Sequence, residues 1–142
     1  MSGKNQYPVT FNWQATDPSV GFKPTPAING GGSAPSGILT GTMASTNTIY
    51  SQIIDISRMD NCSLDVSWTG TPTGTFAVLV SNSGNSPFSA LTFSPSLGQP
   101  SGSAAFMTVS LNQLPYKFLC LRYANASGSG VLSVTGQQKD LN

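Results

Sequence analysis

The sequence predicts an all-β protein: a single antiparallel β-sandwich of jelly-roll or immunoglobulin-like type with about eight strands, preceded by an extended N-terminal arm. Three observations favour this fold class. Ten prolines and fifteen glycines among 142 residues interrupt almost every window long enough for a helix. Glutamate, a strong helix former, is absent. From residue 47 onward, short runs that alternate apolar and polar residues are separated by turn residues at close intervals, which is the pattern of a sandwich.

The chain is long enough for one domain with a core of its own. Its composition divides it into an arm over residues 1–46 and a β-sandwich over residues 47–142. Glycine and proline are so frequent in the arm that few runs can pair as strands. Short strand candidates remain at residues 7–13 and 37–42.

The first strands of the sandwich are predicted from alternation. "TIYSQIIDIS" is the first and "CSLDVSWT" the second, and the second places Trp68 on the same face as Cys62 and Leu64, where we expect it to pack in the core. Asp65 falls on the opposite, polar face. The turn "GTPTG" then leads into "TFAVLVSNS", and a proline near its tip with a glycine at each end predicts a β-hairpin.

The second half of the sandwich continues in the same way. "FSALTFS" and "AAFMTVSL" are predicted strands on either side of the loop "PSLGQPSGS". "YKFLCLRYAN" is the most apolar stretch and is predicted to be a central strand, with Phe118 and Cys120 on one side and Leu119, Leu121 and Tyr123 on the other. The turn "ASGSG" and the run "VLSVTG" predict a closing hairpin. The polar tail "QQKDLN" is expected to fray or to lie on a neighbour.

The low charge of the chain argues against several kinds of partner. Only 8% of the residues are charged and the net charge is +1, so no basic stripe is available for phosphates. Nucleic-acid-binding proteins cluster their cations, whereas the cations here are scattered along the chain. No stretch approaches the ~20 apolar residues that span a bilayer, and the N-terminus lacks the apolar core of a signal peptide. We therefore expect no nucleic-acid partner and no membrane partner, and synthesis in the cytoplasm without an export signal.

The acidic and basic side chains available in this sequence argue against an enzymatic function. Histidine and glutamate are both absent, which removes Ser-His-Asp, Cys-His and zinc-water mechanisms together. Five aspartates remain, so a paired-carboxylate hydrolase that uses Asp55 and Asp65 stays an alternative. We expect no catalytic residue, no cofactor and no metal.

Cys62 and Cys120 are the only cysteines, and an even pair permits one disulfide bond. Each lies in an apolar, strand-like run, where a free cysteine is commonly buried as a small hydrophobic residue. The buried free form is therefore favoured. The absence of a C-x-x-C motif gives no support to a metal or redox site.

Six residues are candidates for an interface: Tyr7, Phe11, Trp13, Phe22, Arg122 and Tyr123. The apolar residues of the arm need a surface to cover, either on the same chain or on a neighbouring one. Trp13 has polar neighbours, so an intersubunit contact and an exposed platform for a ligand are both open, and Tyr7 is a second ring on which a sugar can stack.

Arg122 interrupts an apolar strand, and a buried arginine needs a carboxylate partner. A cross-strand ion pair with Asp55 or Asp65 is favoured. If Arg122 is instead exposed beside Tyr123, the two residues are expected to anchor a protein interface, where arginine and tyrosine are enriched.

Two stretches carry a family resemblance: "SQIIDISRMDNCSLDVSWTGTPTGTFAVLVSNS", with its W-T-G-T-x-x-G-T/S-F hairpin and V-S-N-S exit, and "LPYKFLCLRYANASGSGVLSV", followed by Lys139. From about Ile49 onward the chain resembles a family of small virion proteins of tailed phages. The resemblance covers roughly two-thirds of the chain, and residues 1–46 have no counterpart in it. It implies a particle component rather than an enzyme, and it transfers no catalytic residue. Relatives often carry arginine or tryptophan where this chain has Leu119 or Phe88.

This resemblance favours a non-enzymatic virion protein, and a capsid decoration or cement protein is the leading expectation. The β domain is then a rigid body, and the arm orders against capsid subunits or other copies of the chain. Expected partners are the major capsid protein or other virion proteins, within a homo-oligomer, and the expected location is the virion, assembled in the host cytoplasm. A head-fibre, tail-fibre or adhesin component with a carbohydrate-binding sandwich is the alternative, in which Trp13 binds the glycan.

Overall fold

The computed structural model describes residues 6–20, 40–57, 59–83, 88–93, 96–112 and 115–140, without the side chains of residues 6, 7, 59, 60, 139 and 140. In these ranges the chain is all-β and contains no helix. The strands are β1 (Gln6–Thr10), β2 (Trp13–Gln14), β3 (Gly41–Met43), β4 (Thr48–Ser51), β5 (Ile54–Asp55), β6 (Met59–Trp68), β7 (Thr73–Ser81), β8 (Ser89–Ala90), β9 (Ala105–Asn112), β10 (Phe118–Ser127) and β11 (Gly130–Asp140).

The strands form two antiparallel sheets, which confirms the predicted fold class. Sheet A has the order β1-β11-β6-β9, and β3 pairs with β11 on the same side as β1. Sheet B has the order β2-β4-β10-β7-β8, and β5 pairs with β10 beside β4. From β6 onward, strands consecutive in sequence lie in opposite sheets except for β7 and β8. This alternation is the jelly-roll arrangement, and it distinguishes the fold from the immunoglobulin-like alternative.

Both predicted hairpins are wrong. β6 pairs with β11 and β9, whereas β7 pairs with β10 and β8, so the turn at residues 69–73 carries the chain from sheet A to sheet B. The turn between β10 and β11 returns it. The two turns lie against each other, because the amides of Thr69 and Thr71 donate to the carbonyls of Val131 and Ser129, at 3.0 and 2.9 Å. Turn residues specify that the chain reverses, while the apolar faces on either side decide which sheet each strand joins.

The predicted faces of β6 and β10 are confirmed, whereas the predicted strand "TIYSQIIDIS" is divided into β4 and β5, and Ile49 and Ile53 fall in different clusters. Between the sheets lies one large apolar cluster, to which β6 contributes Cys62, Leu64, Val66 and Trp68, and β10 contributes Leu119, Leu121 and Tyr123. A smaller cluster on the outer face of sheet B contains Ile53, Leu79, Phe118 and Cys120. β10 is a central strand, as predicted, because it pairs with β7 on one side and with β4 and β5 on the other.

The two cysteines lie on different sheets and in different clusters. Cys62 points from sheet A into the main core, whereas Cys120 points outward from sheet B. Both are buried and free. The expectation of two buried cysteines without a disulfide bond is confirmed, because the main core separates the two thiols.

Parts of the predicted arm are strands of the sandwich. β1 pairs with β11 in sheet A, and β2 pairs with β4 in sheet B, so the chain crosses from one sheet to the other between them. The side chain of Gln52 supports this crossing: its Oε1 accepts a hydrogen bond from the amide of Asn12 at 2.8 Å, and its Nε2 donates to the carbonyl of Thr10 at 2.8 Å. Residues 1–5 and 21–39 lie outside the described residues, and for them the arm stays a prediction.

The polar tail is also part of a sheet. β11 continues to Asp140 and stays paired with β6 and β1 over this stretch. The expectation that residues 137–142 fray is therefore wrong up to Asp140. Polar side chains did not end the strand because a neighbour on each side satisfies its backbone groups. The predicted strand "FSALTFS" is shorter than expected and is limited to β8.

Candidate functional site

The outer face of sheet A is polar and nearly uncharged. Alternation along β6, β9 and β11 sends most of their apolar residues into the core and most of their hydroxyl and amide residues outward, with Phe106 and Gln138 among the exceptions. The strand register aligns the positions of the outer face in rows across the sheet: Thr108, Asp65 and Thr135; Ser110, Ser63 and Gln137; Asn112, Asn61 and Lys139. Asp65 is the one carboxylate in these rows, and it accepts a hydrogen bond from the hydroxyl of Thr108 at 3.1 Å.

An open depression of about 250 Å³ lies where the last two rows meet the end of the sheet. Its lining consists of Asn61, Ser63, Ser110, Asn112, Gln137 and Gln138, together with Cys62. We call it the amide depression. Three adjacent strands supply these residues, so their backbone positions are held by the hydrogen bonds of the sheet rather than by loops.

Gln138 is the most unusual residue of the amide depression. It is 1% exposed, and neither its Oε1 nor its Nε2 makes a hydrogen bond within the described part of the chain. A side-chain amide offers two donors and an acceptor with two lone pairs, and burying it unpaired costs about 1–3 kcal/mol. Buried polar groups in native proteins are nearly always hydrogen-bonded, so this amide, on the core-facing side of β11 with Leu132 and Val134, needs a partner beyond the described side chains, such as a buried water.

The chemistry of the amide depression is that of neutral hydrogen bonding. None of its described side chains carries a formal charge. Burial raises the pKa of Cys62 from 9.0 to about 11, so its thiol stays protonated near neutral pH and is a poor nucleophile and metal ligand. Among the described residues no group of three potential metal ligands occurs. The described side chains of the depression donate and accept hydrogen bonds without a formal charge, and the backbone of Lys139 pairs with Asn61 in the last row.

The structure places most of the predicted interface residues elsewhere. Phe11 and Trp13 are 0% and 5% exposed and belong to the main core, and Tyr123 is fully buried there as well. This corrects the expectation that Trp13 offers a free platform: its ring fills the core where β2 joins sheet B. Tyr7 lies in β1, but its side chain is not among those described, and Phe22 lies outside the described residues.

Tyr123 has a structural role. Its hydroxyl donates to Oδ1 of Asn125 at 2.8 Å, and Nδ2 of Asn125 donates in turn to the carbonyls of Ser45 and Gly128, at 2.8 and 3.1 Å. Burial raises the pKa of Tyr123, so the phenol stays neutral. This chain of hydrogen bonds ties the β3–β4 turn to the β10–β11 turn.

The expected ion pair of Arg122 is not formed among the described residues. Arg122 is half-buried on the outer face of sheet B, opposite Ala77 and Tyr50. Asp55 is on the same side but accepts hydrogen bonds from the amide and hydroxyl of Ser57, at 2.9 and 2.6 Å. Asp65 faces outward from sheet A, on the other side of the core.

The same placement separates the two carboxylates of the proposed hydrolase. Asp55 and Asp65 lie on opposite outer faces of the sandwich, and packed sheets are about 10 Å apart even before side chains extend outward. They therefore cannot act on one bond as an acid and base pair.

Sequence reasoning missed the amide depression. The alternation of "CSLDVSWT" puts Ser63 on the polar face with Asp65, but nothing in the sequence marks the polar residues of β9 and of the C-terminal run as one group. One signal was present. Continuing the alternation of "VLSVTG" through "QQ" puts Gln138 on the buried face with Leu132 and Val134, and a buried glutamine needs hydrogen-bond partners.

Comparisons with known proteins found similar proteins among solved structures only. No protein-family model matches the sequence, and no curated protein matches it significantly. The enzymatically active domain of tailspike protein 4 of bacteriophage CBA120 aligns at 10% identity and a TM-score of 0.46, over 95% of this chain and 19% of its own. A family two carbohydrate esterase from Cellvibrio japonicus aligns at 11% identity and a TM-score of 0.39, over 95% of this chain and 34% of its own.

A third structure is similar in length to this chain. The K3 cleaved adhesin domain of Lys-gingipain from Porphyromonas gingivalis aligns at 12% identity and a TM-score of 0.43, over 93% of this chain and 90% of its own. This chain therefore spans less than two thirds of the tailspike and esterase chains and most of the adhesin domain. At these identities and TM-scores the likeness carries no argument about function, and the resemblance to phage virion proteins stays a prediction. The described part of the chain has no helix that is long and apolar enough to cross a bilayer.

Proposed function

We propose that this chain is a non-enzymatic structural protein of a tailed-phage virion, of the fibre or adhesin type, and that its amide depression binds a neutral glycan. The observation that carries the binding role is the lining of the depression, where three adjacent strands present neutral amide and hydroxyl side chains. The virion assignment rests on the sequence resemblance.

A glycan suits this lining for a chemical reason. Sugar hydroxyls both donate and accept hydrogen bonds, and so do serine hydroxyls and side-chain amides. Small-molecule sites use a few fixed polar groups to orient their ligand, and the central strands of sheet A hold these groups in place. A neutral ligand also needs no compensating charge, so its affinity is expected to change little with salt concentration.

Capsid decoration is the second role, and its support is narrower. It depended on an arm that orders against capsid subunits, but Phe11 and Trp13 are buried in the chain's own core. The decoration role therefore rests on residues 1–5 and 21–39, which lie outside the described residues. Under this role the partner is the major capsid protein or another virion protein.

The glycan-binding role is tested by screening the purified chain on an array of neutral glycans and measuring the affinity of each hit by calorimetry. Gln137→Ala and Asn61→Ala each remove a lining amide, and a lost hydrogen bond is expected to weaken binding by about tenfold. Gln14→Ala is the matched control, because Gln14 is equally exposed but belongs to sheet B. Binding of no neutral glycan, or equal loss in the control, would reject the role.

The virion assignment is tested by quantitative mass spectrometry of purified particles. A few copies per particle fit a fibre or adhesin component, and a copy number comparable to that of the major capsid protein fits decoration. Absence of the chain from the particle would reject both roles.

A further inference from the structure

The edges of the two sheets are protected unequally. An edge strand exposes unpaired N–H and C=O groups, and natural proteins guard such edges with proline, charge, short strands or a covering loop. On one edge of sheet A, β3 has three residues and β1 carries Pro8 at its centre. The outer strands of sheet B, β2 and β8, have two residues each.

The remaining edge of sheet B is covered by a loop. Gln99 binds the backbone of Phe76 in β7 as a neighbouring strand would: its Oε1 accepts from the amide at 2.6 Å and its Nε2 donates to the carbonyl at 3.1 Å. Next to it, the carbonyl of Pro100 accepts a hydrogen bond from the amide of Gly74 at 3.1 Å. This edge is therefore closed to further strands.

Within the described ranges, β9 has none of these protections. It is eight residues long, AFMTVSLN, with no charged residue and no proline, and no described strand pairs with its outer side. In an antiparallel pair every second residue directs its backbone groups away from its neighbour, so β9 presents a row of such groups on the side opposite β6. At one end of this row the outward-facing Phe106 is 82% exposed.

We propose that β9 pairs with β9 of a second copy of this chain, antiparallel about a twofold axis, so that sheet A continues through the dimer. The edge is self-complementary for two reasons. A twofold axis perpendicular to the sheet makes the two strands antiparallel, and an uncharged strand brings no like charges opposite each other. This proposal does not depend on glycan binding.

The alternation of β9 limits the register. Directly opposed residues point to the same face, so outward residues must oppose outward residues. The two registers that use most of the strand place the axis at Thr108 or at Val109. Phe106 then lies opposite Ser110 or Asn112 of the second copy, and its exposed ring is covered.

The test is the oligomeric state of the full chain, measured by sedimentation over a range of micromolar concentrations without any glycan. We expect a species of twice the chain mass. Thr108→Lys places two lysines directly opposite each other when the axis is at Thr108, and diagonally across it when the axis is at Val109, so it is expected to shift the species to the monomer. Ser133→Lys is the matched control, because Ser133 lies on the outward side of the same sheet but on β11.

The outcomes separate clearly. A dimer that Thr108→Lys dissociates and Ser133→Lys preserves supports the proposal. A wild-type chain that stays monomeric overturns it, and so does a dimer that persists in Thr108→Lys. Hydrogen exchange of the wild type is the second measurement, in case the lysine variant does not fold. Slower exchange of β9 amides at high protein concentration is expected, and exchange independent of concentration overturns the proposal.

Discussion

Replacing Phe11 by alanine tests whether the N-terminal segment belongs to the core of its own chain. Phe11 lies where the chain crosses from β1 in sheet A to β2 in sheet B, and it is 0% exposed. In a separate arm that covers a neighbouring molecule, its truncation would leave the unfolding of the isolated chain unchanged. In the structure described above, the truncation leaves a cavity in contact with both sheets.

The expected loss follows from the burial of the ring. Truncating a fully buried phenylalanine to alanine costs about 3–5 kcal/mol, since the transfer free energy of the ring and the cost of the cavity add. The whole stability of a domain is about 5–15 kcal/mol. At this chain length each kcal/mol lowers Tm by about 2–4 °C, so a fall in Tm of about 10 °C is expected.

The assay is urea unfolding followed by tryptophan fluorescence, which reports on Trp13 and Trp68 in the core. Val20→Ala is the control from the same part of the chain, because Val20 is 71% exposed and its truncation should change stability by less than about 0.5 kcal/mol. A loss below about 1 kcal/mol for Phe11→Ala would show that the segment does not pack on its own chain.

Three further changes probe the core and its thiols. Gly74→Ala should destabilise by about 1–3 kcal/mol or more in thermal unfolding, because an added Cβ overlaps a carbonyl of β10 and the hydroxyl of Tyr123. Asn125→Ala should lower the unfolding free energy, measured by chemical denaturation, more than Tyr123→Phe does. The first change leaves a buried hydroxyl and two carbonyls without their partner, whereas the second removes one hydrogen bond, worth about 1 kcal/mol. Equal losses would contradict the network. Burial raises the pKa of Cys62 and Cys120 from 9.0 to about 11 and about 12, so unfolded thiols lose protons that folded thiols keep. Unfolding free energy should therefore fall as pH rises above about 9, and a thiol reagent at pH 8 should label the chain only in denaturant.

The local sequence pattern was sufficient to predict which faces of β6 and β10 enter the core. In β6 and β10 the alternation of apolar and polar residues predicted which side chains enter the core, because successive side chains of a strand point to opposite faces of the sheet. It was also sufficient to place Cys120 apart from Leu119 and Leu121, on the side that forms the second cluster.

The local sequence pattern could not predict which strands pair with each other. The turn at residues 69–73 has hairpin chemistry, yet β6 and β7 join different sheets, since each finds its hydrogen-bonding neighbours far away in sequence. The strand candidate at residues 7–13 overlaps β1 and reaches β2, but the Gly- and Pro-rich composition around it obscured their place in the sandwich, where neighbouring strands stabilise them.

The amide depression was missed for a related reason. Its lining residues are separated by more than seventy positions between Asn61 and Gln138, and only the pairing of β6 with β9 and β11 brings them together. A run such as "QQKD" reads as a solvated tail when it is considered alone. Its place in the sheet depends on two neighbouring strands, β6 and the N-terminal β1.

The position of β11 has a consequence for how the chain reaches its fold during synthesis. β11 follows all the other described strands along the chain, yet it is the one that β1, β3 and β6 all pair with in sheet A. Gln6 pairs with Lys139, so strands far apart in sequence must find each other before the sheet is complete. Non-local pairing of this kind slows folding, because loop-closure entropy is lost before the contacts form. A nascent chain that still lacks β11 therefore carries the apolar faces of sheet A uncovered until β11 has been made and has paired.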